Sequence, residues 1–162
     1  MPTNWKYIKK QLEKEFICQK LKGHISFDLT LYKPEPYEQQ YFIMKYDDEI
    51  LFEAKMRKYY SINQYTEYSN SEWIAHYNGI YGVEEIIKSI GVYLHSSIED
   101  NLNSLDYFCR ALAILDKRCG KRRLEELAKS DYIDNTPNWL KRIYIVRFKA
   151  ENINYNSWFE TQ

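Results

Sequence analysis

The chain has 162 residues, with 23 basic and 23 acidic side chains, and aromatic residues (16 Tyr, 7 Phe, 4 Trp) make up 17% of it. The neutral balance excludes attraction to nucleic acid or membranes through bulk charge, and a hydrophobic content of 44% excludes a largely disordered chain. Five Gly, four Pro and three Cys exclude collagen-like, low-complexity and disulfide-stapled classes.

The opening, Met1-Pro2-Thr3-Asn4-Trp5-Lys6, has no apolar core of a signal peptide. No apolar run is long enough to span a bilayer, and three Cys without a CxxC pair read as free thiols. A cytoplasmic location with no membrane contact is expected. Trp5, Ile8, Leu12 and Phe16 recur at spacings of three and four, which predicts an N-terminal helix capped by Thr3 or Asn4. After Gly23, the run from His24 to Tyr32 alternates apolar and polar residues, the pattern of a strand with one buried face.

Pro34 and Pro36 break the chain, and a hairpin follows. Its arms are 41–46 and 50–56, joined at Asp47-Asp48-Glu49, with Ile50, Phe52, Ala54 and Met56 on one face of the second arm. A further strand over 59–67 completes an antiparallel meander of three to four strands. The period then changes. Val83, Ile86, Ile87, Ile90 and Leu94 mark a helix after Gly82, and Ser97 can cap a short turn. A longer helix from Ser104 carries Leu105, Phe108, Ala111, Leu112 and Leu115 as its stripe, with Gly120 as a left-handed terminator. A short helix holds Leu124 and Leu127. A last helix, capped by Thr136 with Pro137 in its first turn, holds Trp139, Leu140, Ile143 and Tyr144. The fold class is therefore α+β: one domain over 1–162, three to four C-terminal helices packed on one sheet face, and a loosely packed tail at 152–162.

Zero net charge conceals segregation. Residues 1–22 carry +4, residues 23–100 carry −7 and residues 101–162 carry +3. Chemistry is hard to place on this chain. Glu72 and His76 share a helical spacing, but no metal-ligand pattern surrounds them, so no metal and no cofactor are expected. There is no GxSxG elbow and no phosphate loop. Cys109 falls on an apolar stripe, whereas Cys119 lies among Lys117, Arg118, Lys121, Arg122 and Arg123, cations that favour a thiolate. No catalytic residue is assigned, and the chain is not expected to be an enzyme. An enzyme of unknown chemistry, drawing on Asp116, Arg118 and Glu72 or His76, stands third among the functional readings.

Two surfaces are left as binding candidates. One is acidic and aromatic: Asp47, Asp48 and Glu49, with Tyr59, Tyr60, Tyr65 and Tyr68 and the later Tyr77 and Tyr81, in a region poor in aliphatic residues. The other is the basic run Lys117, Arg118, Lys121, Arg122 and Arg123, which either grips phosphates or complements the end of the preceding helix and its acidic neighbours.

The segments Ser97-Ile98-Glu99-Asp100-Asn101-Leu102 and Arg110 through Leu124, with Trp5–Leu12, Leu21–Ile25 and Tyr144–Ile153, resemble a family of short bacterial proteins. That family is named after an enterobacterial reading frame and brings no established activity. Cys119 stands where the family shows an apolar residue, which counts against a shared cysteine chemistry. The resemblance implies an accessory gene beside toxin loci. Together these features lead to the expectation of a cytosolic protein-interaction module, an immunity protein that binds and occludes a toxin encoded nearby. The alternative is a nucleic-acid-binding module using the basic 117–123 segment.

Overall fold

The computed structural model of the chain describes residues 4–32, 39–55, 75–130 and 136–160. Helix α1 (Trp5–Lys10) runs directly into a π-helical segment, Gln11–Phe16, and a 3-10 turn at Gln19–Leu21 follows. The widened turn is seen where Ile17 N–H donates to Leu12 O at 3.2 Å, one residue further back than an α-helix allows. Leu12 is buried, and Trp5, Ile8 and Phe16 pack half-buried on the same side, as their spacing predicts.

Strands β1 (Ile25–Tyr32), β2 (Gln39–Tyr46) and β3 (Glu49–Lys55) form an antiparallel sheet in that order. Phe27 pairs with Met44 and Leu29 with Phe42, so the alternation of β1 lays one apolar face onto the core. Among the described residues β1 is an edge strand, and its outer side is blunted. Glu13 Oε1 accepts from Phe27 N–H at 2.8 Å, and Lys9 Nζ bonds Asp28 at 3.0 Å. The strand expected over 59–67 lies outside the described residues.

The second hairpin arm departs from its alternation. A bulge falls where Met44 pairs with Phe52 but the next residue, Lys45, pairs with Ile50. Leu51 is thereby turned into the core beside Phe52, and Ile50, expected inside, is 43% exposed. One extra residue on one strand exchanges the faces of all that precede it.

The helices are α2 (Val83–Leu94), α3 (Ile98–Leu102), α4 (Tyr107–Leu115), α5 (Lys121–Ala128) and α6 (Asn138–Ala150), with a 3-10 turn at Ser157–Glu160. Helices α2 and α6 lie against the sheet, and α4 packs on both of them. Apart from Arg110, α4 is buried along its whole length, the behaviour of a helix apolar on all sides. Ser97 caps α3, its hydroxyl accepting from Asp100 N–H, so the expected turn closes as a helix.

Four details differ from the sequence reading. Helix α4 starts at Tyr107, because Asp106 accepts from Phe108 N–H as its N-cap, and Leu105 is left 89% exposed. Gly120 has φ −74° and leads into α5 instead of ending α4 in a left-handed turn. Pro137 takes the N-cap position of α6, one place earlier than expected, and Thr136 is buried beside it. Residues 152–160, expected to pack loosely, place Ile153 and Phe159 in the core, where Phe159 meets Tyr144 and Phe148.

Candidate functional site

The acidic tip is built by the β2–β3 hairpin. Asp47 takes φ +50° there, a conformation that Asp tolerates better than most residues. His24 holds it twice. Asp47 N–H donates to His24 O at 2.7 Å, and His24 Nδ1 lies 2.7 Å from Asp47 Oδ1. Across the turn, Arg142 of α6 reaches Glu49 Oε1 at 3.4 Å and Ile50 O at 3.3 Å. Both ion pairs are open to solvent on each side, so they orient the carboxylates without neutralising them strongly. Asp48 is exposed and bears no hydrogen bond or ion pair among the described residues. Asp47, Asp48, Glu49 and the out-turned Ile50 thus occupy one projecting corner. Tyr59, Tyr60, Tyr65 and Tyr68 lie outside the described residues.

The two later tyrosines pack into the fold to different depths. Tyr81 is buried under the His76 ring, stacked at 4.1 Å and 4°, and its hydroxyl donates to Asp106. Burial and the Asp106 charge push that phenol well above its ordinary range. Tyr77 packs half-buried against Tyr107. His76 itself bonds Glu85 of α2, and its carbonyl accepts from Trp139 Nε1 at 3.2 Å. The helical partner expected for His76, Glu72, lies outside the described residues.

The basic run divides. Arg118 turns back onto Asp116, with Nη2 2.7 Å from Oδ2 and its own N–H 2.8 Å from Oδ1. Asp116 is fully buried and also accepts from the Tyr93 hydroxyl. Arg123 pairs with Glu99 at 3.2 Å, and Arg122 reaches Glu126 while staying 94% exposed. Lys117 and Lys121 are exposed and unpaired among the described residues. Complementing the preceding helix end accounts for Lys117 and Arg118 alone, because Lys121, Arg122 and Arg123 form the first turn of α5, where cations oppose the dipole.

The loop carrying this run is held from beneath by Arg147, which pattern reading passed over. Its guanidinium donates to the carbonyls of Ile114 at 2.7 Å, Asp116 at 2.8 Å and Cys119 at 3.0 Å. Arg147 is 3% exposed, and nothing in its neighbourhood in the sequence signals this task. Cys119 is buried, and burial pushes its thiol up to about 11 despite the pull of Arg147 and Arg123. The thiolate that the adjacent cations suggested is therefore suppressed. Cys18 and Cys109 are likewise buried free thiols, both raised chiefly by burial.

No group of three or more His, Cys, Asp and Glu that would hold a metal occurs among the described residues. No helix among them is long and apolar enough to cross a membrane. A family model described as the SF0329 protein family matches residues 4–148, a span that includes both the acidic tip and the basic run. No curated protein and no solved structure matches the chain.

Proposed function

We propose that this chain, which belongs to the SF0329 protein family, is a small protein-interaction module working in the cytosol. In its finer form the reading is an immunity protein that neutralises a toxin by covering it. The observation that carries the proposal is the corner made by Asp47, Asp48, Glu49 and Ile50. There the β-bulge turns an apolar side chain out among carboxylates held by His24 and Arg142. An apolar centre with a charged rim suits a protein partner of opposite charge, the rim steering encounter and the centre slowing release. Occlusion then follows from contact alone, without any covalent step.

The test is co-expression of the full chain with the product of the neighbouring gene, followed by affinity capture. Wild-type chain is expected to retain the partner at micromolar concentration. Asp48→Lys combined with Ile50→Asp should lower retention tenfold or more, roughly the loss of one interface anchor. No complex at micromolar concentration ends the reading.

A further inference from the structure

We propose that the basic surface around the bridge between Ile17 and Asp116 is a docking face for the phosphate backbone of a nucleic acid. Two basic segments far apart in sequence are joined there. Ile17 and Asp116 form an antiparallel bridge, Cys18 N–H donates to Leu115 O at 2.9 Å, and Lys117 N–H donates to Phe16 O at 2.8 Å. Residues 16–18, flanked by Lys14, Lys20 and Lys22, are thereby laid beside the start of the run that holds five cations in seven residues. Arg118 and Arg123 are committed to Asp116 and Glu99. Lys14, Lys20, Lys117 and Lys121 are exposed and free of ion pairs among the described residues, and Arg122 is almost wholly in solvent.

The surface has charge without an apolar centre. The exposed large hydrophobic side chains among the described residues are Tyr7, Tyr41, Ile50, Ile80, Val92 and Leu105, and none falls within 14–22 or 116–123. A protein partner needs such a centre for its affinity. A polyanion does not, since release of its counterions supplies the driving force. Lysines act as point charges on flexible stems and contact phosphates without reading base edges, so binding is indifferent to sequence. Arg147 holds the carbonyls of Ile114 at the end of α4 and of Asp116 and Cys119 beyond it, so Lys117 is presented on a fixed frame. The acidic tip is built on a different element, the β2–β3 hairpin, and the proposal does not depend on the protein-partner reading.

The experiment is fluorescence anisotropy of the full chain with a short labelled DNA duplex and a single-stranded RNA. Salt runs from about 50 to about 200 mM, the range over which phosphate contacts are lost. Micromolar binding at low salt is expected, with a log–log salt slope of about −3 to −4 for roughly four phosphates neutralised. Lys14→Glu with Lys20→Glu, and separately Lys117→Glu with Lys121→Glu, should each weaken binding about tenfold and flatten the slope by about two. Lys88→Glu on α2 should leave it unchanged. Circular dichroism checks that each variant keeps the wild-type melting curve. Absence of binding at low salt, indifference to both double variants, or equal affinity for polyglutamate overturns the proposal.

Discussion

Arg118 lies across the carboxylate of Asp116, its Nη2 2.7 Å and its Nε 3.1 Å from Oδ2, and Asp116 has no exposure to solvent. The same carboxylate takes the Tyr93 hydroxyl, and its residue bridges to Ile17. One residue therefore ties three parts of the fold together, its backbone bridging to the N-terminal segment and its carboxylate joining α2 to the loop that opens α5. Asp116→Ala takes the acceptor from the Tyr93 hydroxyl and the carboxylate from Arg118, while Arg118→Ala leaves a buried carboxylate without its cation. Each is expected to destabilise the fold by about 3 kcal/mol or more. That corresponds to a melting temperature lowered by roughly 10 °C for a chain of this size. A shift of only a degree or two in thermal unfolding followed by circular dichroism would show that the clasp carries little stability.

The bulge at Met44–Lys45 predicts opposite outcomes for neighbouring residues. Leu51→Ala opens a cavity among core side chains and should cost about 2–5 kcal/mol. Ile50→Ser removes a solvent-facing side chain and should stay within about 0.5 kcal/mol of wild type. Urea unfolding of the pair measures the difference. Equal losses would place both residues in the core and remove the bulge.

Two glycines separate backbone strain from crowding. Gly23 has φ +83° with open space around it, whereas at Gly79, φ +75°, an added Cβ would meet Trp139 Cδ1 at 3.2 Å. Gly23→Ala is expected to lose about 1 kcal/mol from the left-handed backbone alone. Gly79→Ala adds displacement of the indole, so its loss should be larger and accompanied by a shift in tryptophan emission. If Gly79→Ala is the milder change, or emission stays fixed, the close approach of residue 79 to Trp139 is not a constraint on the fold.

Alkaline pH should destabilise the protein through its buried thiols and phenols. Cys119 is raised by burial to about 11 from an ordinary 9.0, and Tyr144, also by burial, to about 12 from 10.0. The unfolded chain loses these protons first. Stability is fully present below about pH 9 and is lost as pH rises through about 11, by about 2–3 kcal/mol for Cys119 alone. Urea midpoints measured between about pH 8 and pH 11 should therefore fall, and Cys119→Ala should flatten the first part of that decline. In the same range, iodoacetamide should label Cys119 in the native protein only slowly until alkaline pH. Rapid labelling at neutral pH would show an accessible thiolate in place of a buried thiol.

Local periodicity was enough to place the N-terminal helix, the alternation of β1, the hairpin and the helices after Gly82. In each case one apolar stripe of the right period meets the core, and the sequence spells that stripe out residue by residue. Charge segregation could be counted, too, with acidic residues in the middle of the chain and basic ones at its ends. Tertiary contact decided the rest. The bulge reversed Ile50 and Leu51 through a pairing partner on β2, and Asp106 rather than Ser104 chose where α4 begins. The roles of Arg147 and Phe16 depend on chain segments far away in sequence being brought into contact. No local pattern encodes such a meeting, because its energy comes from burying charges and carbonyls that are neighbours only once the core has closed. The neutral total excluded only attraction through bulk charge. In the folded chain the opposite charges stay on separate elements, the acidic tip on the hairpin and the basic run beside the N-terminal segment, because a backbone bridge and a hairpin turn, not pairing between the two, set their places.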